Sequence, residues 1–201
     1  MGAEGHTGVT AVIGLGNPGP KYDRTRHNAG FWLVDELARR YGGSFRADRK
    51  FHGDVARITV DGRDLHLLKP ATFMNHSGRA VQALAGFYRL PVETLLVAHD
   101  EIDLPPGTVR LKQGGGHGGH NGLRDSIAAL GSREFGRVRL GVGHPGHRDA
   151  VVPYVLSSAG RDEQQAMDDA IDLAADAVPL LAAGEWDRAF QQVHTARGES
   201  E

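Results

Sequence analysis

Short apolar runs alternate with stretches of helical period along this chain. Val9–Ile13 is a continuous apolar run and reads as a buried strand. From Phe31 the period changes: Phe31, Val34, Leu37, Ala38 and Tyr41 fall on one face of a predicted helix, which Gly42-Gly43 stops. Asp54–Val60 and Asp64–Leu68 alternate around Asp61-Gly62, a tight-hairpin signal. Gly78–Tyr88 returns to helical spacing through Val81, Leu84, Ala85 and Tyr88. Thr94–Ala98 is a short apolar strand ending at His99-Asp100, and Thr108–Lys112 alternates. Gly122–Leu130 is a helix closed by Gly131, and Arg137–Val142 is a further strand. Glu163–Leu181 and Glu185–Val193 close the chain as helices.

Strands interleaved with helices predict an α/β fold, a three-layer sandwich with a central β-sheet flanked by helices. The hairpin and the Thr108 strand make the sheet mixed. At 201 residues the chain suits a single domain, over about residues 9–194. Residues 1–8 are expected to be a disordered extension and residues 195–201 a polar tail. No apolar run reaches membrane-spanning length, and the N-terminus has no signal-peptide core. The absence of cysteine rules out disulfides and thiolate chemistry and fits a cytoplasmic location.

Net charge is −2, so bulk electrostatics do not announce a nucleic-acid binder. Its distribution is uneven. Gly107–Arg148 holds seven Arg or Lys against two acids, whereas Gly160 to the end holds ten acids against three bases. The first stretch is suited to phosphate and the second is not, although solvated faces produce the same pattern.

Four stretches carry candidate chemistry. The first runs from Gly14 to Gly30. Its Gly14-Leu-Gly-Asn-Pro-Gly19 formally matches a dinucleotide fingerprint, but Pro18 and Pro20 break the turn where a phosphate-binding helix must start. His27 in this stretch suits proton transfer near neutrality, with a capping or surface histidine as the alternative. The second stretch, Lys69–Gly78, places Asn75 in an apolar loop, and either Asn75 or Ser77 is a candidate helix cap. The third, Val97–Gly107, sets Asp100, Glu101 and Asp103 after a buried strand. Any of them could orient a histidine, and Asp100 is nearest the strand end. The fourth, Gln113–Arg124, has five glycines between Gln113 and His120, followed by a helix start at Asn121-Gly122 whose N–H groups would meet an anion or carbonyl. Metal ligation by the three carboxylates, or by His117/His120 with His144/His147, is a minor alternative.

With these stretches together, the sequence closely resembles bacterial peptidyl-tRNA hydrolases. The matching segments are Gly14–Gly19, Tyr22–Gly30, Lys69–Gly78, Asp100–Gly107, Gly114–Leu123 and Arg139–Pro145, in family order over about residues 9–190. The departures are the N-terminal extension and arginine at Arg110 and Arg148, where lysine is common in relatives.

The resemblance implies hydrolysis of the ester between a peptide and the 3′ ribose of tRNA, recycling tRNA from aborted translation. It implies a cytoplasmic monomer that uses no metal or other cofactor, contacts no membrane and binds the acceptor stem and 3′ end. It also implies that His27 activates water, that Asp100 orients His27, and that Asn17 tests for a blocked amino group. Asn75 and Asn121 position the peptide, the water or the oxyanion, and Tyr22 and Phe73 line the cleft. Arg110, Lys112 and Arg148 resemble a phosphate clamp. The rival readings are a noncatalytic RNA-binding relative and a metal-dependent hydrolase.

Overall fold

A computed structural model of the chain describes residues 8–195. Seven strands form one mixed sheet: β1 (Ala11–Gly14), β2 (Arg46–Asp48), β3 (Gly53–Val60), β4 (Arg63–Pro70), β5 (Leu95–Glu101), β6 (Val109–Gln113) and β7 (Gly136–Gly141). Their order across the sheet is β2-β3-β4-β1-β5-β7-β6. β4, β1, β5 and β7 run parallel, while β2, β3 and β6 are antiparallel to their neighbours. The helices are α1 (Ala29–Tyr41), α2 (Ser77–Phe87), α3 (Asn121–Leu130), α4 (Val151–Val155), α5 (Arg161–Ala182) and α6 (Trp186–Thr195).

The central strands are apolar on both faces because helices cover both. Val12, Leu65, Leu67, Leu96 and Ala98 pack against α1, α5 and α6. Ala11, Ile13, Leu68, Leu95 and Val97 pack on the opposite face with α2 and α3. This is the expected three-layer sandwich. The Asp61-Gly62 hairpin forms with positive φ at both residues, the combination that suits the twist of a two-residue turn. Gly42 and Gly131 close α1 and α3 in the left-handed conformation.

Several expectations need correction. The buried face of α1 is Ala29, Gly30, Leu33, Val34, Leu37 and Ala38, with Phe31 and Tyr41 only half-buried. Tyr88 lies beyond α2 and is exposed. β5 continues through His99 and Asp100 to Glu101 rather than ending at Ala98. Neither Asn75 nor Ser77 caps α2: its N-cap is His76, and the Ser77 hydroxyl donates back to the Met74 carbonyl. Strand β2 and helix α4 carry too short a pattern to be read from sequence. The expected extension and tail lie, apart from Gly8 and Thr195, outside the described residues.

The acids of α5 have a partial explanation in packing. Arg40 of α1 bonds Asp172 at 3.1 Å and Asp176 at 2.6 Å, tying the two helices together at the surface. Among the described residues, no helix is long and apolar enough to cross a membrane.

Candidate active site

The site lies where β1, β4 and β5 end, at the centre of the sheet, where the chain order turns from one side of β1 to the other. The β1–α1 connection starts with a close packing of backbones. A side chain at Gly14 would collide with the backbone of Gly30, and one at Gly30 would collide with Ala98 and Leu15. These glycines therefore bring α1 against β1 and β5. No helix starts at the Gly14–Gly19 segment; two short 3₁₀ turns intervene before α1, which removes the dinucleotide reading.

His27 sits in the second of these turns, Arg26–Asn28, and both neighbours are buried. Arg26 donates to the carbonyls of Tyr154 and Ser157 and to the Ser157 hydroxyl, and its guanidinium stacks 3.9 Å from the Tyr154 ring centre. Asn28 is fully buried: its Oδ1 accepts from the Asn17 N–H at 2.9 Å, and its Nδ2 donates to the Asn17 carbonyl at 3.0 Å. One neighbour thus anchors His27 to α4, and the other anchors it to the Asn17 loop. Neither bracing role was legible in the sequence, because the partners lie in other segments.

Behind the imidazole stands Asp100. His27 Nδ1 is 2.9 and 3.0 Å from its two oxygens. The Asp100 side chain is 2% exposed and that of His27 15%, so the carboxylate is sealed in while the ring keeps a small exposed part. With Nδ1–H donated to the carboxylate, Nε2 is the lone-pair nitrogen. Burial disfavours a charged His27, but the charge and hydrogen bond of Asp100 outweigh it and raise the His27 pKa above 6.5. Burial likewise works against the Asp100 anion, and the charges and hydrogen bonds of His27 and His120 overcome it, holding the carboxyl well below the usual range.

His120 is the residue that sequence reading left out of this group. Its Nε2 lies 2.8 Å from Asp100 Oδ1, while its Nδ1 accepts from the N–H groups of Gly122 and Leu123. The accepting Nδ1 places the hydrogen on Nε2, which donates to Asp100. The Gly122 and Leu123 N–H groups at the start of α3 are therefore taken by His120 and do not face an anion, contrary to the expectation from the glycine run. A signal was available: a histidine immediately before a helix start in a chain that also carries a strand-end aspartate.

Asn17, Asn75 and Asn121 come from three segments that meet here. Asn17 Oδ1 accepts from the Met74 N–H at 2.7 Å, next to Asn75. A side chain at Gly122 would press on Met74 and Leu15, so the α3 start beside Asn121 is packed on the same turn. Asn75 and Asn121 are exposed, whereas Asn17 is buried with its amide direction set by Met74. Tyr22 and Phe73 meet edge-on with ring centres 6.4 Å apart, and Phe73 is more than half exposed.

The predicted clamp is only partly assembled. Arg110 and Lys112 project from one face of β6, paired in register with Arg139 and Arg137 of β7. Lys112, Arg137 and Arg139 line a cavity of about 250 Å³ with His99 and the glycine loop. Arg139 was not predicted as a site residue; its Nε bonds Glu101 Oε1 at 3.0 Å. Arg137 is buried and donates to the carbonyls of Gly115 and Gly116, which fixes the glycine loop over the sheet. Arg148 is not on that strand face; it is exposed in the turn before α4. The two metal sets suggested by spacing are not the one that converges. Among the described residues, the cluster of possible ligands is His27, Asp100 and His120, with one ligand atom from each lying within 4.8 Å of the others.

Fold and site together define a three-layer α/β enzyme with a carboxylate-backed imidazole at the strand ends, near loops that carry amides and aromatics. The chain belongs to the peptidyl-tRNA hydrolase family and is a hydrolase. The sequence profile described as Peptidyl-tRNA hydrolase matches residues 11–201. The peptidyl-tRNA hydrolase of Halorhodospira halophila is 65% identical over 193 residues, 96% of this chain and 98% of that protein. That of Pseudomonas aeruginosa is 54% identical over 192 residues, 95% of this chain and 99% of its own length. The crystal structure of the Acinetobacter baumannii peptidyl-tRNA hydrolase superposes with a TM-score of 0.91 at 48% identity, covering 94% of this chain and 96% of that one.

Proposed function

We propose that the enzyme hydrolyses the ester joining a peptide to the 3′ ribose of tRNA, with His27 as general base, and so returns tRNA from aborted translation. The observation that carries this reading is the His27–Asp100 pair, with Nδ1 committed to a sealed carboxylate and Nε2 left as the accepting nitrogen. Water attacks an ester slowly until a base takes its proton, a gain of roughly 10²–10⁴. Nε2 takes that proton as the oxygen bonds the carbonyl carbon, and the buried Asp100 anion stabilises the imidazolium that forms. The proton then passes to the ribose 3′ oxygen as the ester bond breaks.

The oxyanion formed in this step needs fixed donors. Asn17, Asn75 and Asn121 are the amides at hand. Asn17 has its Oδ1 engaged by Met74, so its remaining capacity is chiefly as a donor, suited to a carbonyl or oxyanion of the acyl group. Tyr22 and Phe73 offer an apolar rim for the peptide. Arg110 and Lys112, joined by Arg139 on the same sheet face, suit sequence-independent contacts to acceptor-end phosphate, with Arg148 as an outlying contact. The same reading makes the protein a cytoplasmic monomer that works without metal or other cofactor.

The test is release of the amino acid from N-acetyl-aminoacyl-tRNA and from free aminoacyl-tRNA, each with and without chelator. Rapid release from the blocked substrate only, unaffected by chelation, is the expected result. Equal release from both would remove the blocked-amine specificity. Loss of release on chelation would favour metal ligation by His27, Asp100 and His120.

A further inference from the structure

The sheet edge that carries His27 is divided by charge. Toward β5, β7 and β6 lie Lys112, Arg137 and Arg139 together with Glu101 and Asp103. Arg139 is paired with Glu101 and Arg137 is buried on loop carbonyls, so this side is mildly basic, with Lys112 its exposed cation. On the other side, between the loop after β1 and the end of β4, lies a larger cavity of about 580 Å³. That volume is in the range of small-ligand sites, ~300–1,000 Å³.

Its walls are Pro18-Gly19, directly after Asn17, and Pro70-Ala71, just before Phe73. The same two segments meet above at the Tyr22–Phe73 ring contact and below at the Asn17–Met74 hydrogen bond. The cavity therefore shares its two loops with Asn17, Tyr22 and Phe73. Its inner surface includes Phe31 and Trp32 of α1, and the Trp32 indole N–H is already committed to the Asp23 carbonyl at 2.9 Å.

The charges are one-sided. Asp23, Asp35, Asp54 and Asp168 line the cavity with Arg24 and Lys69. Lys69 Nζ is bonded to Asp35 at 2.7 Å, which leaves three carboxylates and one guanidinium. The proposed hydrolysis uses none of these groups.

A peptide–ribose ester has two halves that leave the reacting carbon in different directions. The RNA half is a polyanion, drawn to the basic side and repelled by these carboxylates. The peptide half remains for the opposite side. We infer that the cavity is a distal peptide subsite, taking residues upstream of the ester and favouring cationic ones, whether lysine or arginine side chains or the free ammonium of a short peptide. This inference rests on the ester-hydrolase reading above. It also separates two amines: one at the aminoacyl unit, which that reading rejects at Asn17, and one several residues away, which the acidic cavity accepts.

The experiment uses the full chain and three substrates on one tRNA: N-acetyl-aminoacyl-tRNA, which has no upstream residues, and two N-acetylated pentapeptidyl-tRNAs with lysines or glutamates at the upstream positions. Wild type and an Asp54→Asn/Asp168→Asn double variant are compared. For wild type, KM for the lysine peptide should fall below that for the glutamate peptide by roughly two- to fivefold per charge, the scale of exposed ion pairs. The preference should collapse in the double variant and at high salt, while the N-acetyl substrate is turned over alike by both proteins, which also verifies folding. Equal KM for the two peptides in wild type, or a preference undiminished in the variant, overturns the subsite. Failure of wild type to hydrolyse any of the three overturns the ester-hydrolase reading instead.

Discussion

His120 donates from Nε2 to Asp100 Oδ1 at 2.8 Å while its Nδ1 caps α3, so one imidazole holds both the carboxylate behind His27 and the start of a helix. Asp100 is thereby gripped from two sides and cannot swing away when the charge on His27 changes. This joins the stability of α3 to the geometry of the proposed base.

The two duties of His120 can be separated. His120→Ala should lower stability by about 1 kcal/mol through the lost cap and should also lower kcat. His120→Asn restores a good capping side chain but is too short to reach Asp100 as well. It should recover most of the thermal stability in a denaturant titration while kcat remains low. Full recovery of kcat in His120→Asn would remove the Asp100 contact from the reaction.

For the proposed base, His27→Ala should reduce hydrolysis of N-acetyl-aminoacyl-tRNA by at least about 10²-fold with unchanged circular dichroism. Near-normal turnover would remove His27 from that role.

The pH profile tests the Asp100 pair. Asp100 raises the His27 pKa above 6.5, and the base works unprotonated, so kcat/KM should rise with pH through a value above 6.5. Asp100→Asn removes the anion and leaves burial, which lowers the pKa. The rising limb should move to lower pH and the plateau should drop. A limb that stays in place would mean that Asp100 does not set the titration.

His99 makes a separate prediction about acid stability. It is buried, its Nδ1–H donates to the Asp100 carbonyl at 2.8 Å, and its Nε2 has no hydrogen-bond partner among the described residues. Burial and the neighbouring His120 push its pKa down to about 3. The unfolded chain therefore takes up a proton below pH 6.5 that the folded chain refuses. This contribution to stability is present above pH 6.5 and is lost as pH falls toward 3, by up to about 1.4 kcal/mol per pH unit. Asp100 adds loss of the same sign below its unfolded pKa, whereas His27, with its raised pKa, acts in the opposite sense. His99→Phe should show a shallower loss of stability between pH 6.5 and 4.5 in urea melts. An unchanged slope would count against this assignment.

For the phosphate contacts, Arg110→Ala and Lys112→Ala should raise KM and flatten its salt dependence. Each lost contact to single-stranded phosphate should reduce the log–log slope by about 0.7. Arg148→Ala should have the smaller effect, since Arg148 is not on the sheet face that holds the other two.

The sequence by itself determined the layers, the mixed sheet and most of the elements, because burial on both faces writes continuous apolar strands and one-sided helices. It also pointed to His27, Asp100 and the three asparagines, partly through glycine-bounded motifs and partly through resemblance to a family. Residue spacing left Asp100, Glu101 and Asp103 equivalent, and only the resemblance singled out Asp100; the tertiary structure shows Asp100 against His27, since strand pleat and register choose among neighbours that look alike in a line of residues. The tertiary structure alone brought in His120, Asn28 and Arg26, which reach Asp100, Asn17 and Ser157 at separations of 20, 11 and 131 residues. It also set a mainly acidic cavity beside β4 apart from the Lys112 and arginine cluster of β6 and β7, because charge that is scattered along a chain acquires a direction only when strands from distant segments are placed next to one another.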